Sequence, residues 1–321
     1  MKFAGDVAMG AAFCPNRPRR CRGRLGGALV YTAIVLIVLI GFAGLAIDWG
    51  YMTWTAQKLQ NTADAAALAG AQALPSNPGN ANTLALQYVG KNGGGTPSVT
   101  LQSKFATNDT VKVNVTRPAT GVFTKLFGVR TVTVGSHASA RASLMDQAKY
   151  VAPIGVNILN PKLKGTSTCP CFGSTNLTTL PLGKTGAPGA FDLLNIDSSH
   201  GGTGPSILAN WILKGYDGYL SLGDYFSDAG AKWNSSEVQN ALDARDGTEL
   251  LFPVYDTIKG SGAGAQYHVI AWVGFHMTSH EEHGSTGSIT GWFTEVVWTG
   301  IASTSATGQP NLGARVVNLV D

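Results

Sequence analysis

The chain has 321 residues, 13% of them charged and 9% aromatic, with 41 glycines and a formal net charge of +4. The positive charge is local: residues 1–28 hold six Lys/Arg against one acid, and the remainder holds seventeen against eighteen. That partition excludes a broad basic face for nucleic acid, and the low charge with abundant Gly, Ser, Thr, Asn and Val suits extracytoplasmic β-rich domains better than a cytosolic enzyme.

Residues 1–24 form a basic tip, with Arg17, Arg19, Arg20, Arg22 and Arg24 close to its end. Residues 25–47 carry no charge and include Leu29, Ile34, Leu36 and Leu39. About 20 apolar residues in a helix cross the ~30 Å hydrocarbon core of a bilayer, so this run is expected to be a transmembrane helix. Lys/Arg beside the end of a span are kept in the cytoplasm. Arg19, Arg20, Arg22 and Arg24 therefore predict an N-terminus inside and residues 48–321 outside. A cleaved secretory signal is the rival reading. The run is longer than a typical signal core, and Ala43-Gly44-Leu45-Ala46 is a poor cleavage site, so an anchor is preferred.

Residues 48–78 read as a stalk helix continuing from the span, together a rod of roughly 70 Å at 1.5 Å per residue. Ala63, Ala67 and Ala71, and Ala66, Gly70 and Ala73, form two stripes of small residues at helical spacing. Such stripes admit another backbone at close range. The helix either packs on its own domain or offers an assembly surface made of Leu59, Gln60, Asp64, Ala67, Leu68, Gly70 and Ala71. Pro75-Ser-Asn-Pro78 ends it, because proline cannot continue a helix.

Residues 79–145 predict a small α+β unit. Asn82–Lys91 is a short helix, Val99–Phe105 and Val111–Val115 alternate as the two strands of a hairpin around Thr107-Asn-Asp109, Phe123–Phe127 fits one or two helical turns, and Thr131–Val134 with His137–Ala142 gives a third strand. Such a sheet needs a helix to cover one face. Residues 153–321 contain short apolar runs between Gly/Asn/Ser clusters, with helices expected only at Ser206–Lys214 and Ser235–Arg245. That predicts a β-rich C-terminal domain, sandwich or barrel, and an α+β chain overall.

Cys14 and Cys21 fall on the cytoplasmic side as free thiols. Cys169 and Cys171 stand two apart in Cys-Pro-Cys, a spacing that disfavours a mutual bridge and leaves open a link to another chain. His276, His280 and His283, with Glu281 and Glu282, are the densest set of metal-ligand types. They read as loop histidines or as a metal or pH-sensitive site. Strand alternation places His268, Trp272 and His276 on one face. Gly260-Ser-Gly-Ala-Gly264 lies between strands and reads as a turn rather than a phosphate cradle. Nothing in the pattern assembles a nucleophile, a base and an oxyanion hole, so no enzyme and no cofactor are expected.

The run Gly27-Ala28-Leu29-Val30, then Gly44-Leu-Ala-Ile-Asp48, then Leu59-Gln60 and Ala63-Asp64-Ala-Ala-Ala-Leu-Ala-Gly-Ala71, resembles the TadE/TadG-like family of the tight-adherence (Flp) pilus system. The resemblance covers residues 25–74. It implies a membrane protein acting in pilus assembly, with other assembly or pilin subunits as partners. Prepilins of such systems are cut after a glycine with a Glu usually five residues on. Here Tyr31 stands five after Gly26, which favours the uncleaved, TadG-like branch. Larger TadG-like proteins often carry a metal-dependent adhesion site; the nearest match, Asp197-Ser-Ser199-His-Gly201, has Gly at the third ligand position and reads as a loop after a strand.

Overall fold

The computed structural model describes residues 25–164, 169–183, 187, 189–197, 202–283, 286–304 and 308–320. Arg19, Arg20, Arg22 and Arg24, Cys14 and Cys21, and residues 198–201 of the adhesion-like loop lie outside the described residues. The described residues form two compact units, one of residues up to 53 with 120–132 and one of residues 54–119 with those from 133 onward.

Helix α1 is unbroken from Leu25 to Ala71. It stops a turn before Pro75, where the main-chain N–H groups of Ala73 and Leu74 turn back to the carbonyls of Gly70 and Ala71. Helix α2 (Pro78–Lys91) starts with proline in its first turn and with the Asn77 side chain accepting from the Asn80 N–H. Strands β1 (Thr96–Gln102), β2 (Thr110–Ala119), β3 (Val132–Ser143), β4 (Met145–Ala148) and β5 (Ile154–Asn157) follow. Then come β6 (Thr178–Pro181), β7 (Phe191–Asn195), helix α3 (Pro205–Lys214), β8 (Leu220–Ser221), β9 (Gly223–Ser227) and helix α4 (Ser236–Asp243). The chain ends with β10 (Glu249–Lys259), β11 (Gln266–His283), β12 (Thr286–Thr294), β13 (Val296–Val297), β14 (Gly300–Ala302) and β15 (Ala314–Leu319).

The first sheet runs β1-β2-β3-β15-β13. The predicted hairpin is present, with Thr96 opposite Thr116 and Gln102 opposite Thr110. Alternation buries Val111, Val113 and Val115 of β2 and Ala138, Ala140 and Ala142 of β3. These meet the outer part of α1 and the apolar stripe Ala81, Ala85 and Val89 of α2. The last described strand of the chain, β15, returns to pair antiparallel with β3, Val316 opposite Ser143. No local pattern announces that pairing.

Strands β10, β5, β7, β9 and β11 close into a five-stranded barrel, because β10 pairs with both β5 and β11. The β11–β12 hairpin and β6 extend from it. The expected β-rich region is therefore of the barrel kind. On one side of these strands, Phe252, Val254, Ala271, Val273 and Phe275 pack with Leu208 and Ile212 of α3 and Val238 and Leu242 of α4. On the other side lie Leu194, Tyr225, Leu251, Tyr255, Tyr267 and Trp272. Ile270 sits unpaired between the pairs Tyr255–Val269 and Val254–Ala271. That bulge shifts the alternation, so His268 leaves the face that carries Trp272, against the expectation from unbroken alternation. Cys169 and Cys171 are disulfide-bonded to each other, Cα–Cα 4.5 Å, the pairing that their spacing was expected to disfavour. The separation falls within the range a disulfide accepts.

Asp109 closes the β1–β2 turn. Its buried carboxylate accepts from the main-chain N–H groups of Lys104 (2.9 Å), Phe105 (2.6 Å) and Ala106 (2.8 Å). Burial pushes this carboxyl up, but the donors win and hold it below the ordinary 3.8. A depressed folded pKa gives stability that is fully present above the unfolded value and is lost as pH falls through the folded one. The wild type should therefore lose stability on acidification below about pH 4, and Asp109→Asn should lose less of it over that range while being less stable by about 1–3 kcal/mol at neutral pH. Denaturant unfolding across pH measures both.

Candidate membrane-proximal interaction site

The inner part of α1 carries large apolar side chains on every side, and these are exposed. Leu29 is 72% exposed, Ile34 54%, Leu36 59% and Leu39 61%. A water-facing helix keeps a polar stripe, so this surface is made for lipid. The helix is long and apolar enough to cross a membrane. At its outer limit Trp49 and Tyr51 are also exposed, as expected of aromatic side chains at the edge of a bilayer.

Asp48 is the first charged residue after the apolar run, and it is buried. The loop 120–132 packs on it. Asp48 Oδ1 accepts from the Val122 N–H at 2.8 Å, and Oδ2 accepts from the N–H groups of Phe123 at 2.9 Å and Thr124 at 2.7 Å. The carboxylate thus caps the single helical turn Thr124–Phe127. One turn back along α1, Gly44 leaves room for Phe123: a Cβ there would stand 2.3 Å from the ring. Sequence reasoning placed Asp48 in the family pattern without giving it a partner. The signal was an acid at the end of a 23-residue uncharged run, the kind of position that needs donors.

In the other unit, Leu59, Ala67, Gly70 and Ala71 of α1 are buried against α2 and β2. The close approach that small residues permit is made here within the domain. A Cβ on Gly70 would meet the Ala81 carbonyl at 3.0 Å and the Ala85 side chain at 3.2 Å. Gln60, Asp64 and Leu68 are half-buried. The Gln60 amide donates to Asp64 Oδ1 at 2.8 Å and to the His137 carbonyl at 3.0 Å, tying α1 to β3. Ser136 adds a bond to the Ala56 carbonyl at 3.0 Å.

The three histidines of the ligand-rich run have different surroundings. His276 stacks on Trp292 with ring centroids 4.3 Å apart and places Nδ1 3.0 Å from Glu249. The side chain of His280 is 9% exposed and lies between two carboxylates at the end of α4, Nε2 3.6 Å from Asp243 and Nδ1 3.5 Å from Asp246. Ligand atoms of Asp243, Asp246 and His280 lie within 4.8 Å of one another. The side chain of His283 lies outside the described residues. Asp243 and Asp246 were not singled out from sequence; their i, i+3 spacing at a helix end was the available signal. A cleft of about 580 Å³ beside Cys169 is lined by Ile158, Leu163, Ile270 and Leu312, with Asp256, Lys164 and Asn311 as its polar side chains.

A helix long and apolar enough to cross a membrane, unbroken from Leu25 to Ala71, is the arrangement of a single-pass, membrane-anchored protein. Within it, residues 26–73 match the model of the Tad family, described as Flp pilus-assembly TadE/G-like. The matched segment is nearly coextensive with α1, and it implies a membrane-associated role in Flp pilus assembly. Neither a curated protein nor a solved structure matches the chain.

Replacing Asp48 by Ala leaves the N–H groups of residues 122–124 without their acceptor. Amide exchange at Val122, Phe123 and Thr124 should then accelerate by more than about tenfold while that of α2 stays unchanged. Exchange read by mass spectrometry on the full chain in nanodiscs checks this, and equal protection in both proteins would show that Asp48 does not hold the loop.

Proposed function

We propose that the chain is a non-catalytic subunit of pilus assembly, held in the bacterial cytoplasmic membrane by one uncleaved span. In this reading the N-terminus is inside, the body is periplasmic or surface-exposed, and the output is contact with other assembly or pilin subunits. The observation that carries it is the coincidence of the TadE/G-like match, residues 26–73, with a helix whose inner half is apolar and exposed and whose outer half is packed into a folded domain. The arginines at positions 19, 20, 22 and 24 support the orientation. Two surfaces support the contact. Gln60, Asp64 and Leu68 keep part of their surface free along α1. Strand β1 is an edge of the first sheet, with every second residue exposed, and an open edge is a template for an added strand.

A membrane anchor resists alkaline carbonate, whereas a cleaved signal releases its protein. The full chain expressed in its native host should stay in the carbonate-washed membrane pellet at the mass of the uncut polypeptide; recovery in the soluble fraction, or at a mass lacking residues 1–46, would remove the anchored reading.

A second reading rests on one observation, the meeting of Asp243, Asp246 and His280. Two carboxylates and an imidazole are ligands for zinc, so the β-rich region would be a metal-binding module. Titration of zinc into metal-free, untagged protein should then show one site that His280→Ala weakens at least about tenfold. Unchanged binding in that variant, or no heat at all, removes this reading.

A further inference from the structure

Residues 121–130 read Gly-Val-Phe-Thr-Lys-Leu-Phe-Gly-Val-Arg. Their main chain is pinned to Asp48, at the outer end of the apolar run, and Phe123 rests on Gly44, one turn further into it. The loop is therefore set at the level where hydrocarbon gives way to headgroups. Its apolar side chains do not all fold back: Val122 is 69% exposed, Leu126 79% and Val129 46%. Lys125 and Arg130 are exposed beside them, and the segment has no acid. Three bare aliphatic side chains in ten residues form a costly surface in water. At a bilayer surface the same set is favourable, with aliphatic groups in the acyl boundary and Lys/Arg among the phosphates.

We propose that residues 121–130 form a second membrane contact, a short interfacial loop seated in the outer leaflet beside the α1 span, with the lipid bilayer as its occupant. Continuity with the lipid-facing surface of α1 selects lipid over a protein partner, and the two cations against no acid match an anionic headgroup layer. The loop would fix the depth and rotation of α1 where it leaves the membrane. This proposal rests on the single-span reading, and its test separates the two.

The full chain, with Cys14 and Cys21 changed to Ser, is reconstituted in vesicles of phosphatidylcholine and phosphatidylglycerol, with a spin label at Leu39→Cys or at Leu126→Cys. Relaxation by dissolved oxygen is compared with relaxation by a water-soluble nickel chelate. The expected result is that both labels favour oxygen, position 126 less strongly than 39, and that adding Asp48→Ala moves label 126 toward the aqueous reagent while label 39 keeps its depth. A label at 39 in lipid with one at 126 in water overturns the loop contact alone and leaves that surface to a protein subunit. Both labels in water overturns the span and the loop together.

Discussion

Between Ile47 and Leu59 α1 passes from an exposed apolar stretch into a protein core, and its side chains change accordingly. Up to Ile47 the helix is uncharged, and its large apolar side chains are exposed on every side, with Gly44 alone covered by Phe123 among the described residues. From Leu59 it is small on the faces that meet α2 and β2, where Gly70 and the alanines let main chains approach within side-chain distance. A Cβ at Gly70 would stand 3.0 Å from the Ala81 carbonyl oxygen, so α2 would have to give by a few tenths of an ångström. The β1-β2-β3 part of the first sheet packs on that contact, and β15 and β13 extend it. Asp48 and the polar and aromatic residues after it occupy the short stretch between the two regimes, where main-chain donors brought near the bilayer must find an acceptor.

Much of this was legible in the sequence. Hydropathy marked the span, because an uncharged, predominantly apolar run of 23 residues is long enough to cross a bilayer. Alternation gave the β1–β2 hairpin and most of β3, since one face of that sheet is buried and the other wet. Ser235 ahead of Glu237 and Val238 marked α4, and its hydroxyl does accept from the Val238 N–H. The helical turn after Phe123 was also visible. What could not be read were the distant pairings. The return of β15 to β3 joins residues far apart in the chain, and closure of the barrel by β10 against β5 is a parallel contact with no local signature. The bulge at Ile270 looked like continued alternation, because the residues on both sides of it are apolar.

The site residues divide in the same way. The small stripes on α1 pointed to a backbone at close range, and Gly70 lies against α2, but residue types cannot say whether such a backbone belongs to the same chain. His280 was conspicuous from its neighbours in sequence, while its neighbours in space, Asp243 and Asp246, come from a helix that sequence spacing could not bring to it. Asp48 stood out as a charge at the end of an apolar run, and only the fold shows that its partners are main-chain groups more than 70 residues away.

Anchorage, the held loop and the domain core all serve one claim, that this protein acts in pilus assembly through a body fixed to the membrane by α1. The direct test is a count of surface pili by electron microscopy in the native host after deletion of the chain, with complementation by the wild type and by a form lacking residues 25–47. The account predicts that deletion removes pili, that the wild type restores them, and that the unanchored form does not. Normal piliation in the deletion strain, or full rescue by the unanchored form, would contradict it.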